Sequence, residues 1–348
     1  MDVISATVKK RETYSVHIKY SSLWECALGI AAITNTALID SLEKSISYWK
    51  EMRESLSHRL REHLEYVEKN NTWKALLQLL HQKDFTTLPE FTSYIEMLSE
   101  KRLKFICLPF VGDAYQALRE RAACREKEAI EALQSLTAAN PFFPEYIAFI
   151  SNMEQMQLKK HLVEVMTDWY KQVIENDPEQ LEKILQADVA AKRKMEVKMD
   201  PEEFVEWATA GITYLPEPSV HHVLLIPHVT YRPWNIVADL EDTKVFYYPV
   251  ANESISPDDR YLPNDFLLLK YKALGDEARL RIIKLLFERN RTLQEITERM
   301  EMGKSTIHHH LKILRAAQLV EMKDTKYTLK TKAIDSLTKE LALYLHQE

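Results

Sequence analysis

A mainly α-helical chain with small β elements is the fold class that three features of the sequence predict. Apolar residues recur at steps of three and four along most of the first 210 positions, the period of one helical face. Across 212–250 the texture changes to dense Val, Ile, Tyr and Phe with five prolines, the pattern of short strands with prolines at edges or turns. Helical spacing then returns at Phe266 and is broken once more by an extended stretch at 319–330. With 348 residues, 46% of them hydrophobic and 28% charged, the chain is long enough for two domains and at least one sizeable core.

Taken in order, the opening "VISATVKKRETYSVHIKYSS" alternates β-branched residues around a charged turn and predicts a hairpin. In "SLWECALGIAAITN" Ser22 and Glu25 have the spacing of a capping box before a buried helix. Leu42, Ile46, Trp49, Met52, Leu56, Leu60, Leu64 and Val67 form one long apolar stripe. Further helices are expected at 72–82, 88–101, 113–139, 144–175, 178–199 and 201–210. The last has Asp200 as its cap, Pro201 in its first turn and Gly211 at its end. The polar stretch "ANESISPDDRYLPND" separates the strand segment from the helix at Phe266. A boundary therefore falls near 262, giving domains of 1–262 and 263–348, with a helix at 265–274 as a connector.

Several function classes are excluded early. The five glycines, at 29, 112, 211, 275 and 303, never cluster, so no phosphate-cradling loop, dinucleotide fingerprint or nucleophile elbow can be built. Cys26, Cys107 and Cys124 are odd in number and lack a CxxC spacing, which argues against a disulfide framework or a cysteine zinc site. No apolar run approaches the roughly 20 residues of a membrane helix, and "MDVISATVKKRETY" has no signal-type stretch. The expectation is a cytoplasmic protein without a membrane span. "HRLREHL" comes near a zinc-protease pattern, but His58 and His63 are five positions apart, about 140° around a helix, and cannot share a metal. His221 and His222 on a strand point to opposite faces.

The end of the chain carries the strongest motif. Residues 271–345 read as helix (276–289, with Asp276 as cap), helix (292–300), a short turn with Gly303, helix (304–318), two short strands (319–330) and a final helix. Two short helices around a glycine turn followed by a strand pair make a winged helix-turn-helix. At 100° per residue, Leu311 and Leu314 lie within about 40° of Ile307 and define the core side of the 304–318 helix. Arg315, His308, Lys312, Ser305 and His309 fan across roughly 80° to 200° from it. The row His308, His309, His310 diverges by about 100° per step and cannot converge on one tetrahedral ion. Such a face suits base edges and phosphates. Residues 270–348 hold 16 Lys and Arg against 11 Asp and Glu, a net of +5, while the remainder carries 30 against 41, a net of −11. A basic end on an acidic chain fits a local partner that is an anion.

"ALGDEARLRIIKLL" and "STIHHHLKILRAAQLV" resemble, in register, the two signature stretches of ArsR-type winged-helix regulators. The upstream "VLLIPHVTYRPWNIV" and "VFYYPV" look like the segment before the winged helix in a subgroup with a long amino-terminal domain. The resemblance covers about residues 271–330 and implies a homodimeric, sequence-specific transcriptional regulator, a repressor before an activator, whose affinity for double-stranded DNA answers an effector. The 1–262 part would then serve as effector and dimerisation domain, and the operator would be an inverted repeat. Carried onto this sequence, the DNA-facing residues are Lys304, Ser305, Thr306, His308, His309, Lys312 and Arg315 on the helix, with Lys323 and Lys326 on the wing. The apolar stripe Ile334, Leu337, Leu341 and Leu345 of the last helix is the expected pairing surface, although it could instead cap the small core. His308 stands where the family commonly has serine, and the wing "EMKDTKY" is short. The cysteine pair of metal-sensing members is absent from "LQEITERM", and the last helix lacks the Asp/His spacing of zinc sensors, so neither metal nor cofactor is expected. Two other classes stay open: a protein-docking winged helix, and an enzyme fused to one, although no catalytic motif can be assembled.

Overall fold

The computed structural model describes residues 13–259, 261–323 and 325–346. Helices predominate among them, with a four-stranded and a three-stranded sheet, which is the mainly α class expected with small β elements.

The large sheet organises the body of the protein. β1 (Ser15–Ile18), β2 (His222–His228) and β4 (Thr243–Pro249) run parallel, and β3 (Ile236–Leu240) closes the edge antiparallel to β4, in the order β1-β2-β4-β3. Side chains alternate across the sheet, as strand geometry requires. Val245, Tyr247 and Ile226 enter the main core with the helix Ser22–Thr34, while Phe246, Tyr248, Val223 and Leu225 pack on Phe204, Val205 and Val189 from helices on the other side. Helices on both faces explain why β2 and β4 are apolar on both sides. Pro227 sits on β2 beyond the last β1 partner, Leu225, so its missing N–H costs no ladder bond.

The first segment departs from expectation. One arm of the expected hairpin lies outside the described residues, and the other, β1, pairs in parallel with β2 some 200 residues away. Ser21, not Ser22, caps the following helix by accepting from the Leu23 amide. Glu25 does not complete a capping box. Its buried carboxylate accepts from the Val229 and Thr230 amides and the Thr230 hydroxyl, tying the helix to the loop after β2. Gly29 has a packing reason: a Cβ there would lie 2.8 Å from the Trp169 ring.

The long apolar stripe is divided. It forms two helices, Ile46–Ser55 and His58–Asn70, because Leu56 is extended and Ser57 caps the second through its hydroxyl. Expected helices at 88–101, 113–139 and 144–175 are likewise each split by a new cap or turn. Asp200, Pro201 and Gly211 act as expected: Asp200 accepts from the Glu203 amide, and Gly211 takes a φ of +117°.

A second, separate core holds the end of the chain together. Ile282, Leu286, Ile296, Met300, Ile307, Leu311 and Leu314 are buried in it with Val320, Tyr327 and Leu329 of the wing. The helix Asp265–Leu274 joins this part, with Lys270 bonded to both carboxylate oxygens of Glu340 at 2.7 and 2.8 Å.

Candidate nucleic-acid interface

Local capping chemistry builds the helix-turn-helix. Asp276 accepts from the Arg279 amide at 2.9 Å and opens the helix Glu277–Glu288. Thr292 and Glu295 form a reciprocal capping box that opens Leu293–Met300. The Thr292 amide, aided by Arg289, holds the Glu295 carboxyl down at about 2. Glu301, in the left-handed region with φ of 54°, ends that helix. Gly303 then starts the third helix, Lys304–Ala316, without a side-chain cap. Its first-turn amides are therefore open to an acceptor such as a phosphate.

Burial of Ile307, Leu311 and Leu314 fixes the rotation of this third helix. Lys304, Ser305, Thr306, His308 and His309 are consequently exposed. His310 turns inward to the flank, half-buried, with Nδ1 3.9 Å from Asp276, and burial lowers its pKa. The three histidines diverge, and among the described residues no group of three His, Cys, Asp or Glu side chains could hold a metal ion.

Further along the same face the arrangement changes. Lys312 donates to the Asp40 carboxylate at 2.6 Å and to the Ala37 carbonyl at 3.0 Å, and only 14% of its side chain is exposed. The hydrogen bond from Lys312 holds the Asp40 carboxyl below its ordinary value. Arg315 is half-buried and Ala316 buried. The outward face thus has an open amino-terminal half and a carboxy-terminal half covered by the short turn Ile39–Ser41 of the body. Asp40 and Ala37 are site residues that sequence reasoning missed. They lie more than 270 positions from Lys312, and no local pattern signals the contact.

The wing comprises β6 (Val320–Lys323) and β7 (Lys326–Leu329), with the two-residue β5 (Arg291–Thr292) beside β7. Lys323 and Lys326 are cross-strand partners at its exposed tip. Lys323 also contacts Glu321 at 2.7 Å. The final apolar stripe is split between two short helices, Thr331–Asp335 and Leu337–Leu345. Ile334 packs on the small core, Leu337 is buried, Leu341 is half-buried, and Leu345 is 67% exposed.

Three helices, a strand pair and an outward basic face define a winged helix-turn-helix DNA-binding module. Residues 276–322 match the family described as "Bacterial regulatory protein, arsR family". The match spans the three helices and most of β6, and leaves the body of the chain unassigned. No curated protein and no solved structure matches the chain. The carboxy-terminal region therefore carries an ArsR-family helix-turn-helix domain, which supports a DNA-binding transcriptional regulator. No helix among the described residues is long and apolar enough to cross a membrane.

Proposed function

We propose that the chain is a sequence-specific transcriptional regulator that reads an inverted-repeat operator as a homodimer, acts as a repressor, and answers an effector through its large body. Residues 1–262 form the effector part and 263–348 the DNA-reading part, a division supported by their separate apolar cores. The observation that carries the reading is the exposed Lys304–His309 face on the second helix of the helix-turn-helix. Residues at the amino-terminal end of such a helix reach base edges, while the uncapped amides and lysines reach phosphates.

In this arrangement Lys312 is occupied by Asp40, so engaging DNA along the whole face requires that pair to part. Gel-shift titration against sites selected from random DNA checks both points. His309→Ala should weaken binding by about 1–3 kcal/mol if it makes a good base contact, and Lys312→Ala should do likewise. Asp40→Asn should tighten it two- to five-fold, since a partly exposed ion pair is worth only about 0.5–1 kcal/mol. Equal affinity for wild type, His309→Ala and Lys312→Ala would remove the basis of the reading.

Pairing of two subunits is supported by Leu345, 67% exposed, one turn from the half-buried Leu341 on the last helix. A dimer sets two reading helices on half-sites roughly one turn of DNA, ~34 Å, apart. Sedimentation at micromolar concentration should give twice the chain mass, and Leu345→Glu should shift it toward monomer with weaker operator binding. A wild-type monomer that binds an asymmetric site at full strength would exclude this assembly.

A further inference from the structure

A cleft of about 1190 Å³ lies between the body and the winged helix. Small-molecule sites run to roughly 300–1,000 Å³, so an organic ligand fits with room for solvent. Its floor is Pro249 to Ala251, at the carboxyl end of β4, the end of a parallel sheet at which ligands bind in open α/β folds. One wall carries Ala191, Lys192 and Trp207 of the body; the facing wall carries Leu267 and Leu343 of the carboxy-terminal part.

Lys192 has an unusual environment for an ammonium group. The residue is only 8% exposed, and its Nζ sits 4.7 Å over the Trp207 ring and 5.3 Å over the Tyr248 ring. Its nearest carboxylate oxygen, on Asp188, is 3.9 Å away, beyond hydrogen-bond reach. Asp188 is already engaged, accepting from the Tyr248 hydroxyl at 2.8 Å, the Ala251 amide at 2.9 Å and the Ser254 hydroxyl at 3.2 Å. Ring faces attract a cation but accept no ordinary hydrogen bond, so at the cleft the three Nζ donors have an ion partner but no hydrogen-bond acceptor among the described residues. An ammonium facing a cleft in that state favours a ligand that supplies a charged acceptor. Two further lysines deep in the cleft are already engaged, Lys270 by the Glu340 carboxylate and Lys330 by the Gly211 carbonyl. Of the other charged lining residues, Glu203, Glu206, Glu253 and Glu321 more than balance Lys323, Lys330 and Lys332, so the cleft offers no excess of positive charge to a multiply charged anion.

We propose that this cleft binds a small organic monoanion, a carboxylate or sulfonate head on a flat apolar body, with the head at Lys192 and the body between Trp207 and Leu267. The proposal rests on the regulator reading for its consequence and on the cleft alone for its chemistry. The cleft walls and the Lys312–Asp40 pair both join the body to the carboxy-terminal part, so the ligand stabilises the arrangement in which Lys312 is covered and lowers DNA affinity. A ligand shifts an equilibrium by its differential affinity for the two states, and the coupling is reciprocal.

Anilinonaphthalene sulfonate and its uncharged analogue phenylnaphthylamine are suitable probes for fluorescence titration of the full chain. The sulfonate should bind saturably at one per chain. Lys192→Met should weaken it by about tenfold or more, the loss expected for one charge-assisted hydrogen bond, with Lys192→Arg retaining most of the affinity. Phenylnaphthylamine should bind both proteins alike, and Ala191→Trp, an exposed position facing the cleft, should block both dyes. Sulfonate binding that ignores Lys192→Met and Ala191→Trp overturns the site. With selected operator present, dye and DNA should each weaken the other by the same factor; independence of the two would overturn the coupling. Absence of any DNA binding would count against the regulator reading and leave the dye results to judge the cleft by themselves.

Discussion

Leu311→Ala should cost about 2–5 kcal/mol and abolish operator binding, while the body of the protein stays folded. Leu311 is 1% exposed and packed among Ile282, Leu286, Ile296 and Ile307, where truncation removes apolar contacts and leaves a cavity. The core it belongs to is small, and domains of this size have only about 5–15 kcal/mol of net stability at most. Because none of its buried members belongs to the main core, loss should be confined to the carboxy-terminal part. Thermal melts should show an early transition in Leu311→Ala that is absent from His309→Ala, whose side chain is exposed. The two variants would then both lose DNA binding for different reasons. Unchanged melting of Leu311→Ala would mean that the small core is not what holds the reading helix.

Acid should unfold the body well above the pH at which its carboxylates titrate. Burial lowers the pKa of His81 and His228 to about 3 and that of His161 to about 4. His81 is bonded to the Tyr247 hydroxyl at 2.7 Å and His161 to the Thr72 hydroxyl at 2.8 Å, both in the neutral form. Each folded-state pKa is depressed, so the unfolded chain binds more protons below the ordinary histidine value near 6.5. The stability these groups contribute is therefore complete above that value and falls with pH down to about 3–4. Each withheld proton is worth about 1.4 kcal/mol per pH unit, so three together approach ~4 kcal/mol per unit. Glu25 works in the opposite sense, because burial raises its pKa and the folded state takes up that proton first, but it is one group against three. The melting temperature should drop steeply between pH 6 and 4.5, and His161→Gln should flatten the slope by about a third. A melting temperature constant across that range would contradict the neutral, buried state of these histidines.

Parts of the fold and of the reading face are legible in the sequence alone. The rotation of the reading helix followed from the spacing of Ile307, Leu311 and Leu314 alone, and the caps Asp276 and Asp200 stood at the residues the sequence indicated. The strand segment beyond 212 was legible as strands, but its parallel pairing with β1 was not. The long stripe from Leu42 to Val67 misled, because the step across Leu56 and Ser57 keeps helical spacing while the backbone there is extended. Glu25 misled in another way: it has capping-box spacing, yet its carboxylate serves a loop some 200 residues on.

What the sequence determined by itself is whatever neighbours in the chain decide together: helical period, caps, turn residues and the winged-helix motif, since these rest on contacts within a few positions. The tertiary structure decided the partners of Glu25, the covering of Lys312 by Asp40 and Ala37, and the cleft around Lys192. Those contacts join residues far apart in sequence, and their energies exist only once the two cores have brought the segments together. A lone Asp in "NTALIDSLE" carries no trace of the helix it will meet, because pairing a charge depends on where folding places its partner.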